Sequence, residues 1–225
     1  ENIDDDLDNE AEDLFEFLHR DHGIYSFGPK KPPQKESLSF KVRVDIKDSW
    51  LNTSKHIPIN SKYLVKLPLY SDDITYVGKN TQWDQISVKV MDKPNNNFRR
   101  RGRTWDLQVL HRVPLHDLYR NHVMSVCLPN GKKLRVRWDK KNVKEDMFYL
   151  YKYGFPKKDG SRGKLWIRLS PEIPDDIKDV KIDKDEDIKD NKLLEPEFVS
   201  REEWWNIPDE DRSVVLDLNA HLRKK

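Results

Sequence analysis

From Ser37 the chain alternates apolar and polar side chains with a period of two. Leu38, Phe40, Val42, Val44 and Ile46 interleave with Ser39, Lys41, Arg43 and Asp45. Residues two apart share one face of a strand, so this pattern predicts a half-buried β-strand. Comparable patterns predict strands at 55–59, 63–69, 85–91, 104–113, 122–128, 133–138, 147–153 and 164–169. Turn chemistry such as Pro129-Asn-Gly and Lys158-Asp-Gly separates several of them. The period changes towards both ends. Leu14, Phe15, Phe17 and Leu18 predict a short amphipathic helix stopped at Gly23, and Pro29, Pro32 and Pro33 then predict an extended linker. Further on, Ser200-Arg-Glu-Glu has the form of a capping box, and Trp204, Trp205, Ile207, Val215, Leu218 and Leu222 follow with helix-like spacing.

One nine-residue pattern occurs twice: Val, x, Ile/Leu, x, Asp, x, aromatic, x, Asn begins at Val44 and again at Val113, 69 residues apart. Each copy sits between two predicted strands. Two copies of one β unit are therefore expected rather than one long sheet. Each strand pair is too small to bury a face alone, so each copy is expected to close as a small sandwich.

Composition agrees with small units. Hydrophobic and charged residues each make up 36% of the 225 residues, which favours a divided core. No apolar run is long enough to cross a bilayer and no leader-like segment opens the sequence, so no membrane insertion and a cytoplasmic or nuclear location are expected. The net charge of +2 conceals an acidic, basic, acidic order: residues 98–168 carry 19 Lys and Arg against 6 Asp and Glu, whereas residues 172–217 carry 7 against 17. The basic middle could meet nucleic acid, an acidic protein tail or its own acidic flanks.

The order and spacing of several segments resemble a known family. These are Phe98-Arg-Arg-Arg-Gly, Trp105-Asp-Leu-Gln-Val, Val113-Pro-Leu-His-Asp-Leu, Leu128-Pro-Asn-Gly-Lys-Lys-Leu, and above all Tyr153-Gly-Phe-Pro-Lys-Lys-Asp-Gly-Ser-Arg-Gly-Lys-Leu-Trp-Ile-Arg-Leu. Between Ser37 and Asp176 the chain is similar to the C-terminal client-binding region of DnaJ-type co-chaperones. The resemblance implies a mainly β chain with two tandem small β-sandwich domains and short flanking helices. Its expected parts are an acidic helix and Pro-rich linker at 1–36, β domains at 37–103 and 104–176, and an acidic linker with a helical segment at 177–225. Departures are also clear. The chain has no His-Pro-Asp tripeptide of a J-domain, and Cys127 alone cannot build a cysteine-rich zinc module. Tyr119-Arg-Asn-His and Lys140-Lys-Asn-Val-Lys stand where the family has glycine-containing turns.

In function, the resemblance implies binding of hydrophobic segments of unfolded or partner proteins, together with a DnaK-type chaperone. Matched residue by residue, the family's groove places Phe40, Val42, Ile57 and Ile59 on its walls with Val88 nearby. Lys55 and Lys66 stand at the rim, where an acidic chaperone tail could pair. The same five apolar residues could instead be the ordinary inner face of a sandwich. Dimerisation beyond the second domain would use Trp204, Trp205, Val215, Leu218 and Leu222, unless these dock onto their own chain. No catalytic constellation, metal site or cofactor is expected: His19 and His22 lie in a polar stretch, and His111, His116 and His122 flank a strand pair without a nucleophile. The alternative is a nucleic-acid-associated or structural scaffold. It rests on Arg99, Arg100, Arg101 and Arg103 beside Phe98 and Trp105, phosphate-seeking cations among stacking surfaces.

Overall fold

A computed structural model describes residues 36–79, 81–175, 184–186, 188 and 192–225; the expected N-terminal helix and Pro-rich linker lie outside them. The protein is mainly β. The first repeat runs β1 (Glu36–Val44), helix α1 (Ile46–Leu51), β2 (Lys55–Pro58), β3 (Tyr63–Leu67), β4 (Asp73–Val77) and β5 (Trp83–Asp92). After β6 (Phe98–Arg100), the second runs β7 (Leu107–Pro114), a 3-10 turn (Leu115–Tyr119), β8 (His122–Cys127), β9 (Lys133–Trp138), β10 (Met147–Leu150) and β11 (Leu165–Glu172). Beyond the acidic connector come β12 (Glu197–Phe198), helix α2 (Arg201–Trp205), β13 (Ser213–Asp217), the one-turn helix α3 (Leu218–His221) and β14 (Leu222–Lys224).

The two repeats share a topology. In the first, β1 lies parallel to β5, β5 is antiparallel to β4, and β2 and β3 form a hairpin on a second sheet. In the second, β7 is parallel to β11, β11 antiparallel to β10, and β8–β9 is the hairpin. The Val44 and Val113 motifs occupy the same place in each, where the first strand ends, one turn of helix follows and the chain enters the hairpin. Asn52 ends α1 in the left-handed region (φ 55°), a conformation that asparagine tolerates better than most residues. Each pair of sheets closes on its own core. Val65, Leu67, Ile74, Tyr76, Ile86 and Val88 fill the first, and Leu107, Val126, Val136, Phe148, Phe155 and Ile167 belong to the second.

The C-terminal segment departs from the expected helix. Val214, Val215 and Leu216 form β13, parallel to β4, and Leu222 enters β14, antiparallel to β3. The β-branched pair and the alternation of Val214 with Leu216 favour a strand there, and the Asp217 carboxylate accepts the Asn219 amide at 2.9 Å to turn the chain between the two strands. Trp204 (1% exposed) and Leu218 (0%) are buried in their own chain, Leu222 is half-buried against the first core, and only Trp205 (64%) and Val215 (70%) of that set are exposed. Ser200 caps α2, its Oγ accepting the Glu203 amide at 3.1 Å.

Arginine and tryptophan lock the repeats together. Trp50 of α1 belongs to the second core, its indole donates to the Tyr153 carbonyl at 2.9 Å, and Arg162 stacks on it at 4.4 Å while donating to the Trp50 carbonyl at 2.7 Å. Arg212 is fully buried. It lies 4.4 Å from the Trp105 ring centre and donates to Thr104 and Tyr70 carbonyls at 2.7 and 3.3 Å. Burial, reinforced by nearby Arg100, lowers its pKa to about 10. The Gly154 to Gly163 segment closes under the same tryptophan: the Phe155 amide donates to the Trp105 carbonyl at 2.7 Å, and a Cβ at Gly163 would lie 2.2 Å from that oxygen.

Candidate peptide-binding groove

Strand β1 pairs only with β5 among the described residues, and β2 only with β3. Both edges therefore keep unpaired backbone donors and acceptors. Along them Leu38, Phe40, Val42, Ile57 and Ile59 pack against the first core, yet each remains half-exposed. Their equivalents 69 residues on are treated differently. Leu107 and Val109 on β7, and Val126 and Leu128 at β8, are buried, while His111, the equivalent of Val42, stays half-exposed. The difference at β7 has a visible cause: β6 pairs antiparallel with it, placing Phe98 opposite Val109 and Arg100 opposite Leu107. The second repeat thus covers with its own chain the edge that the first leaves open.

The expected groove residues divide accordingly. Phe40, Val42, Ile57 and Ile59 stand on the two open edges. Val88 does not line the groove, because it is 2% exposed and lies in the core opposite Phe40 in the β1–β5 ladder. Lys55 is already paired with Asp48 at 2.8 Å, which leaves Lys66 on β3, opposite His56 on β2, as the cation of the rim. Leu38 belongs with the expected set, and comparing the two repeats position by position would have found it in the sequence.

Three of the four arginines in the run are not part of the open basic patch that a nucleic-acid reading requires. Arg100 is paired with Asp92 at 2.7 Å and lies 4.2 Å from the Phe155 ring centre. Arg101 is buried between Trp166 (3.7 Å) and Trp204 (5.2 Å), where desolvation lowers its pKa, and it donates to the Trp204 carbonyl. Arg103 faces Asp73 and Asp209. Elsewhere the acidic connector meets the basic segment directly, through Asp185 with Lys140 at 2.6 Å, Glu186 with Arg120 at 3.3 Å and Glu195 with Arg137 at 2.7 Å. At these positions the connector is docked, because backbone amides of Asn121 and Val123 also donate to Asp185 and Glu186.

No known family model and no curated protein matches this chain. The reading of the groove therefore rests on its geometry. An edge with unpaired backbone groups can accept an extended segment, and half-exposed apolar side chains on alternate positions can receive that segment's own alternate side chains. Hydrophobic complementarity of this kind selects for apolar character rather than for one sequence. Among the described residues no cluster of His, Cys, Asp or Glu could hold a metal, and no helix is long and apolar enough to cross a membrane.

Proposed function

We propose that residues 36–225 form a divergent client-binding region of the DnaJ type, which holds extended apolar segments of unfolded polypeptides against β1 and passes them to a DnaK-type chaperone. The observation that carries this reading is the contrast between the repeats. Among the described residues, the same strand edge is sealed by β6 in the second and open in the first, with its apolar side chains half-exposed. The antiparallel β6–β7 ladder supplies the template for a guest strand on β1, with an apolar guest side chain opposite Phe40 as Phe98 stands opposite Val109. Lys66 at the rim favours a guest or chaperone tail with a carboxylate at its flank, an exposed pair contributing about 0–1 kcal/mol.

The test is binding of a fluorescent apolar peptide, followed by anisotropy, with suppression of aggregation of a denatured client as the second readout. Val42→Asp and Ile57→Asp are expected to weaken binding by about tenfold or more, since each buries a charge against the guest. A guest peptide N-methylated at alternate residues tests the same groove without altering the protein. It should lose binding, because strand addition needs its amides. Undiminished binding of the methylated peptide, or of both variants, would overturn the assignment.

A further inference from the structure

The outer face of the sheet β12-β10-β11-β7-β6 carries features that neither the groove nor the inter-repeat lock uses. Two recesses lie side by side there. One, of about 290 Å³, is lined by Asn95, Asn96 and Asn97 of the β5–β6 loop together with Arg99 and Arg168. The other, of about 250 Å³, is lined by Arg101, Trp204, Trp205 and Ile207. They share Arg99 and Gln108 as a common wall. Each is smaller than the roughly 300 Å³ at which ligand pockets begin, and together they pass it.

The chemistry of the two recesses differs. No carboxylate lines either one among the described residues. Arg168 is exposed and makes no ion pair among the described residues, and Arg99 donates through Nη2 (2.6 Å) and Nε (3.2 Å) to the Gln108 side-chain oxygen, with the amide oriented to accept. The first recess thus offers the guanidinium fork of Arg168, the remaining Nη1 of Arg99 and amide donors, a set suited to a phosphate. The second offers the exposed indole of Trp205 beside Ile207. Arg101, buried to 1% exposure, lines this recess with its Nη1 lacking a hydrogen-bond partner.

We propose that this outer face binds a nucleoside phosphate, with the phosphate between Arg99 and Arg168 and the base stacked on Trp205. The shared wall fixes the order of the two groups. Stacking on an exposed aromatic is tolerant of base identity, so the site takes nucleotides as a class, free or as part of an unpaired strand. It is independent of the peptide groove, which lies in the other repeat.

The experiment is titration calorimetry of residues 1–225 with adenosine monophosphate, inorganic pyrophosphate and a short single-stranded oligouridylate. Arg99→Gln and Arg168→Gln, both at exposed positions, are each expected to weaken nucleotide binding about tenfold. Trp205→Ala is expected to weaken the nucleotide about tenfold while leaving pyrophosphate unchanged. Equal affinity for the mononucleotide and the oligouridylate identifies a free nucleotide as ligand, and tighter, salt-sensitive binding of the oligouridylate identifies a strand. The proposal is overturned if no nucleotide binds, if the variants bind as the unaltered protein does, or if an Asp/Glu-rich peptide competes as well as the nucleotide.

Discussion

At Val42 and His111 the two repeats place different side chains in one position, and the exchange has a thermodynamic signature. Burial, with His122 as a second cause, lowers the pKa of His111 below the ordinary value of about 6.5. The unfolded chain then binds more protons than the folded one as the pH drops below about 6.5, so stability is lost from there down through the depressed folded value. Replacing His111 by the valine of the other repeat is expected to remove that part of the acid slope. The measurement is the difference in denaturant midpoint between neutral and mildly acidic pH, which should shrink in His111→Val. Gly163 makes a second residue-scale prediction. Its Cβ would meet the Trp105 backbone at 2.2 Å, so the clash cannot be relieved by a side chain. Gly163→Ala is expected to cost about 3 kcal/mol or more, at or above the top of the usual range for overpacking, and to lower the thermal midpoint accordingly.

Elements defined by local alternation were legible in the sequence. β1, β5, β8, β9 and β11 follow directly from alternating apolar positions, but the helical turns inside the repeated Val-to-Asn motif do not, since the strand alternation runs on through Ile46, which instead opens α1. What escaped depended on distant partners. β6 is three residues long and exists through β7, while β4 shows only Ile74 and Tyr76 beside the polar run Ser71-Asp-Asp. In the 213–224 segment, Val215, Leu218 and Leu222 match a helical spacing by coincidence, while Val214 and Leu216 match the strand that forms against β4. The groove was half legible. Phe40, Val42, Ile57 and Ile59 were named from the family resemblance, but the exposure that makes them a groove, and the core position of Val88, depend on which edge the chain covers. A chain truncated after Leu194 tests the weight of the returning segment. It loses Trp204, Val214 and Leu218 from the cores together with Arg212. One buried large side chain alone is worth about 2–5 kcal/mol, so the truncated chain is expected to lose its cooperative thermal transition. A preserved transition would show the segment to be peripheral.

Across the whole molecule, the returning segment touches both repeats: β12 joins the second sheet, and β13 and β14 join the first. With Arg212 and Trp50 bridging the same two cores, residues 36–225 belong to one compact unit. Such a molecule is expected to unfold in a single transition, with fluorescence and far-ultraviolet dichroism giving the same midpoint. The route by which β13 and β14 return has a consequence for biosynthesis. β4 waits for a partner about 140 residues further along, and β3 for one further still, so the first half to leave the ribosome is the last to be finished. Until residue 224 has emerged, the nascent chain exposes two incomplete sheets beside an edge suited to binding apolar strands. On the function proposed above, a protein that holds unfolded segments would itself begin life as one, and its synthesis would depend on a second holder of the same kind.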